Sequence, residues 1–200
     1  MVFIVNKREQ LGKLLVENGV VCTTDALNVG VSKSYFMQLA GDMKLERASR
    51  GIYVAGNSWA DHFYLFQKRY SQAVFSHESA LYLHQLTDRE PQGMSVTVKA
   101  GYHAPSMSVQ GTKVYTVKPD LYPVGIVEML SPFGNKLRVY DAERTLCDII
   151  RSRSHIEAQE RQTAFREYVR SKGKNIPQLM RYAKQFRVEK PLRAYLEVLL

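Results

Sequence analysis

Cysteine is scarce: Cys22 and Cys147 are the only two in 200 residues, and they lie far apart. That excludes a disulfide framework and a Cys-rich zinc site. No apolar run approaches the roughly 18 to 20 residues of a membrane span. The first residues, Met-Val-Phe-Ile-Val-Asn-Lys-Arg, lack the long apolar core of a signal peptide. There is no glycine-rich phosphate loop and no G-x-S-x-G. The five histidines (His62, His77, His84, His103, His155) show no H-E-x-x-H or other ligand spacing. Repeats and low-complexity tracts are absent too. What remains is 45% apolar and 24% charged, ordinary globular usage, which excludes wholesale disorder and collagen-like repetition. The expectation is a soluble, intracellular (cytoplasmic) protein with one large domain or two small ones. No cofactor, metal or membrane partner is expected.

Acidic residues are also in deficit. There are 28 Lys+Arg against 19 Asp+Glu, a formal net charge of +9. This favours an anionic partner, most often nucleic acid, against the plainer reading of charge for solubility. The excess is uneven: +2 over 1–60, zero over 61–150 and +7 over 151–200. A segment facing an anionic surface would gather charge in this way; so would a set of solvated helix faces.

Apolar spacing predicts a helix over 7–18, with Asn6 as cap and Gly19 as stop. Val20 to Cys22 reads as a short extended link. Thr23 opens a short helix through Leu27, and Ser32 caps a third over 33–40. Strands are predicted over 44–48 and 51–54, with Ser49 and Arg50 at the turn, and a linker at Gly56-Asn57-Ser58. Beyond it come a helix over 60–70, a strand over 73–75 and a helix through Leu86 capped by Ser76 or His77. Strands follow over 94–99, 113–117, 125–130 and 136–140. Asp141 caps a helix over 142–152. The last 50 residues read as helices over 156–171, from Asn175 through Phe186, and from Pro191 to Leu200.

Helix, short helix, tight turn, helix and two-stranded wing is the order of a winged helix-turn-helix, whose second helix enters the major groove. Val31, Phe36, Leu39 and Ala40 fit the buried side of the 33–40 helix. Ser32, Lys33, Ser34, Tyr35 and Gln38 are left to meet DNA, and the helix N-terminus suits phosphate. The wing offers Lys44, Arg47 and Arg50, with Gly51 free to turn. The other reading is a small scaffold for protein contacts. Tyr35 equally fits a core position, and Arg47 fits pairing with Glu46 or Asp42.

Val31-Ser32-Lys33-Ser34 followed by Leu39 and Leu45-Glu46-Arg47-Ala48-Ser49-Arg50-Gly51-Ile52-Tyr53-Val54 resembles the N-terminal winged helix of the abortive-infection AbiEi antitoxins. The stretches Phe75 to His84, Val96-Thr97-Val98 and Arg138 to Ile150 resemble that family's second domain, as do the C-terminal helices with Tyr182-Ala183 and Tyr195-Leu196. The winged helix is shared by many regulators. Ser76-His77-Glu78-Ser79-Ala80 and Asp141-x-Glu143-Arg144-Thr145-Leu146-x-Asp148 are the more specific marks. The resemblance implies a type IV antitoxin of a phage-defence toxin–antitoxin system. Such a protein binds inverted repeats in double-stranded operator DNA, represses its own operon, and neutralises a nucleotidyltransferase-like toxin without a stable complex.

His77-Glu78 and the carboxylates of 141–148 also invite a catalytic reading, such as a metal-dependent nuclease. Against it, Arg144 and Asp148 stand i and i+4, where a surface ion pair is the simpler account. Asp141 has a role as an N-cap, and Glu78 suits the positive end of its helix. The reading is therefore not an enzyme.

The resulting expectation is an α+β chain: a winged helix over 1–56 and an antitoxin domain over 60–200, with a small sheet and a helical end. A winged-helix regulator with a ligand-sensing second domain is the alternative. Arg166, Arg170, Arg181 and Lys184 are expected to form a basic surface on neighbouring helices, for DNA, for RNA or for solvent alone. With no heptad seam, the chain is expected to be a monomer that pairs on DNA.

Overall fold

The computed structural model describes residues 7–56, 61–102, 105–108, 111–153 and 155–199. Expectations resting on Asn6, Asn57, Ser58, Ala60, His103 and Leu200 lie outside them. The chain is α+β and divides into two compact units. One holds Met1–Ser71 with Leu130–Leu137, the other Gln72–Met129 with Arg138–Leu200.

The first unit runs α1 (Lys7–Asn18), β1 (Val20–Cys22), α2 (Thr23–Asn28), α3 (Lys33–Asp42), β2 (Leu45–Ser49), β3 (Ile52–Ala55) and α4 (His62–Arg69). Its core gathers Leu11, Val21, Ala26, Val31, Phe36, Leu39, Ala40 and Tyr53. The i, i+3, i+4 spacing of Phe36, Leu39 and Ala40 puts one stripe of α3 inside. The Phe36 ring meets Tyr53 edge-on, with centroids 5.2 Å apart. Val20 to Cys22 is not a mere link. It pairs antiparallel with β3, Val20 opposite Val54, so the sheet has three strands in the order β1-β3-β2. Three apolar residues show no alternation because all three are buried. The turn also shifts by one residue, to Arg50 and Gly51, with Gly51 at φ +78°. Within this unit Asp61 caps α4 through the Tyr64 amide and takes hydrogen bonds from the Ser131 hydroxyl and the Asn135 amide. These bonds tie Leu130–Leu137 to it.

The second unit runs β4 (Val74–Phe75), α5 (His77–Leu83), β5 (Ser95–Lys99), α6 (Pro105–Ser108), β6 (Lys113–Val117), β7 (Ile126–Leu130), β8 (Lys136–Tyr140), α7 (Ala142–Arg151), α8 (Ala158–Arg170), α9 (Ile176–Gln185) and α10 (Glu189–Leu199). The tips of β7 and β8 belong to the first unit. The sheet order is β6-β5-β4-β8-β7, mixed, with β5 and β6 parallel. Helix α7 is buried at every position from Glu143 to Ile150 and packs against α5, α8, α9 and α10.

That burial corrects one expectation. Arg144 and Asp148 are not a surface pair: they are 0% and 3% exposed, with Nε 3.0 Å from the carboxylate. The guanidinium lies over the rings of Tyr140 and Phe186, at 4.1 and 3.9 Å from their centroids. It also donates to the carbonyls of Leu121 and Val124. Gly125 makes room, since a Cβ there would stand 2.8 Å from the Arg144 Cβ. Glu143 ties α7 to α8 and to the start of α9 by accepting from the Tyr168 hydroxyl and the Asn175 amide.

Candidate nucleic-acid interface

The Ser32 hydroxyl accepts from the Tyr35 amide at 3.3 Å, so it caps α3 from the inside of the turn. Lys33, Ser34, Tyr35 and Gln38 all lie on the exposed side of the helix, opposite Phe36, Leu39 and Ala40. Tyr35 is 43% exposed and is not a core residue. The outward face also holds Met37, 47% exposed, which sequence spacing did not single out. The Tyr53 hydroxyl, reaching across from β3, donates to the Met37 sulfur at 3.1 Å. A polar helix face with one apolar contact group is the chemistry that reads base edges and thymine methyls.

Lys44 follows the end of α3 at φ +51°, a left-handed position where glycine is easier. It, Arg47 and Arg50 are exposed. Arg47 pairs with neither Glu46 nor Asp42; its Nε donates to the Ser49 carbonyl at 3.3 Å. The register between β2 and β3 slips between Arg47 and Ser49, which lets the strand bend at the tip of the hairpin. The second helix of the expected motif and its hairpin therefore sit in one unit with their cationic groups in solvent.

In the second unit the conspicuous polar residues are engaged by the fold. Ser76 stands at the N-cap position of α5, but its hydroxyl does not cap the helix. It is taken up by the His77 Nδ1, at 2.9 Å, and by the Thr97 hydroxyl. His77 itself sits at φ +48°. Its ring stacks on Tyr115 at 3.5 Å, and its Nε2 lies 3.0 Å from the Ser152 hydroxyl. Burial, with Arg151 and Arg144 nearby, pushes its pKa well below the ordinary histidine value, so the ring is neutral. Glu78 accepts from the Ser95 hydroxyl and pairs with Lys113 at 2.6 Å. Asp141 caps α7 through the Arg144 amide. Burial raises the Asp148 pKa, and Arg144 opposes that rise. Among the described residues no group of three His, Cys, Asp or Glu is placed to hold a metal ion. Burial pushes the Cys22 thiol up to about 12 and raises Cys147 as well, so neither offers a ready thiolate.

Of the expected basic surface, Arg166 and Arg170 on α8, and Arg181 and Lys184 on α9, are all exposed. Each of the two helices packs mainly on α7 and α10. Arg170 pairs with Glu167, and Arg181 donates to Gln178. Among the described residues no helix is long and apolar enough to cross a membrane.

No family model matches the chain, and no curated protein matches it. Among solved structures it is similar to the crystal structure of the Rv2827c protein from Mycobacterium tuberculosis. The TM-score is 0.57 at 14% identity, over 89% of this chain and 71% of that one. At that identity the likeness is one of fold, an α+β architecture carried across most of both chains.

Proposed function

We propose that the chain is a DNA-binding autorepressor and antitoxin of the AbiEi type, with a winged helix-turn-helix in its first unit. The observation that carries the reading is α3. Its apolar stripe is buried, while Lys33, Ser34, Tyr35 and Gln38 face solvent beside a hairpin carrying Arg47 and Arg50. In this reading α3 is the recognition helix, β2 and β3 are the wing, and the DNA is a duplex operator with inverted repeats. Neutralisation of a nucleotidyltransferase-like toxin belongs to the second unit and follows from the sequence resemblance alone.

The test is a titration of the full chain on the DNA upstream of its own coding sequence, read by gel shift and light scattering. We expect a 22.9 kDa monomer in solution and two copies on a duplex bearing both repeats. Co-expression with the nucleotidyltransferase-like toxin that this reading requires should restore growth. A stable dimer without DNA, or equal affinity for scrambled duplex, overturns the repressor reading. Failure to restore growth overturns the antitoxin reading.

A further inference from the structure

Strand β6 is an outer strand of the second unit's sheet: β5 pairs with one side of it, and no described strand pairs with the other. Two open cavities lie along it, of about 600 and about 610 Å³. Both are lined by Thr116 and Arg151, so they adjoin as one groove. The first adds Lys113, Tyr115 and Ser152. The second adds Lys118 and Arg187, with Asp120 as its single carboxylate. Lys113 is held by Glu78. Among the described residues no carboxylate forms an ion pair with Lys118, Arg151 or Arg187.

Two backbone features support a binding role. Arg187 follows the Phe186 cap of α9 at φ +58°, with the Val188 amide closing onto the Ala183 carbonyl. Helices usually place glycine there, because a side chain is strained in that conformation. Here the position carries a guanidinium that lines the groove. His77 is the second left-handed residue near the groove. It joins Ser152, by a hydrogen bond, to Tyr115, by stacking, so two groups of the groove wall share one buried anchor. Strained backbone that persists beside a cleft is the pattern of a functional site.

We propose that this groove binds a single strand of nucleic acid. Lys118, Arg151 and Arg187 meet successive phosphates, and the Thr116 and Ser152 hydroxyls meet the sugar-phosphate backbone. Each cavity is within the roughly 300 to 1,000 Å³ of a small-molecule site, enough for one nucleotide. Planar guanidinium forks suit phosphate oxygens. A duplex carries its phosphates on a convex rod and does not enter two adjoining cavities, whereas a flexible strand places one nucleotide in each. The groove is lined by residues of the second unit alone, and the proposal does not rest on operator binding.

The experiment is fluorescence anisotropy of the full chain with labelled oligouridylate and oligothymidylate of about eight nucleotides, a length within the site sizes of single-strand binders. Binding at about 50 mM salt should weaken with a slope near −2 for three phosphates, at about 0.7 each. The double variant Arg151→Glu, Arg187→Glu should bind at least about tenfold more weakly, as expected when cations on a phosphate track are reversed. Lys118→Ala and Arg187→Ala, both at exposed side chains, give the same test should the charge reversals unfold the chain, as judged by circular dichroism. Arg47→Glu with Arg50→Glu should leave single-strand binding unchanged, which separates this site from the operator face. Absence of binding at low salt overturns the proposal. So does equal competition by a short duplex. Displacement by polyglutamate as effectively as by unlabelled oligonucleotide overturns it in favour of an acidic protein partner.

Discussion

Arg144 shows how much one side chain organises. Its charge is buried beside Asp148, its Nε donates to that carboxylate, one terminal nitrogen serves two carbonyls, and its guanidinium lies over two rings. Among the described residues its other terminal nitrogen has no hydrogen-bond partner. Removing one partner strands the other charge without water, at a cost of about 3 to 5 kcal/mol. Arg144→Met should lower the free energy of urea unfolding by that amount. Arg144→Met combined with Asp148→Leu should recover most of the loss, because an apolar pair of similar volume carries no stranded charge. If the single variant unfolds like the wild type, the buried pair does not organise its surroundings. If the double variant is as weak as the single, the carbonyls of Leu121 and Val124 depend on the guanidinium more than Asp148 does.

At the scale of elements, the proposed reading gives α3 and the β2–β3 hairpin different work on DNA. Gln38→Ala and Ser34→Ala should relax sequence preference by about 1 to 3 kcal/mol while leaving affinity for scrambled duplex intact. Arg47→Ala and Arg50→Ala should weaken binding to every sequence and lower the salt slope by roughly 0.9 for each lost phosphate contact. Gel shifts on operator and scrambled duplexes at several salt concentrations separate the two. Equal losses from Gln38→Ala on both duplexes would remove α3 from the reading role. Both elements were legible in the sequence, for a local reason. The spacing of Phe36, Leu39 and Ala40 and the Ser32 cap are properties of adjacent residues, and Gly51 marks its own turn. What was not legible depends on partners distant in sequence. Val20 to Cys22 is a strand only because β3 lies beside it. Arg144 reads as a surface residue until α7 is seen to be buried from Glu143 to Ile150. Met37 is exposed although it neighbours the buried Phe36, which no apolar count reveals. Thr116, Arg151 and Arg187 come together only once β6, α7 and α9 are folded.

For the whole molecule, the open question is why the last 50 residues hold +7 of a total of +9. The exposed cations of α8 and α9 do not all stand free: Arg170 has Glu167 and Arg181 has Gln178. An exposed ion pair such as Arg170–Glu167 is worth about 0 to 1 kcal/mol, so these cations contribute little to stability. Their effect is a long-range field, screened over about 8 Å at physiological salt. Such a field acts on an anionic partner and not on the fold. Charge reversal of Arg166, Arg181 and Lys184 together should therefore leave thermal unfolding nearly unchanged and alter an activity. If operator affinity and its salt slope both fall while growth restoration against the toxin persists, these helices extend the duplex footprint. If operator binding persists and growth restoration is lost, they serve the antitoxin role through an anionic partner other than the operator. If unfolding, operator binding and growth restoration are all unchanged, the charge of α8 and α9 serves solubility alone. The basic groove beside β6 would then be the second unit's remaining candidate contact with nucleic acid, because Arg151 and Arg187 stand outside the reversed set.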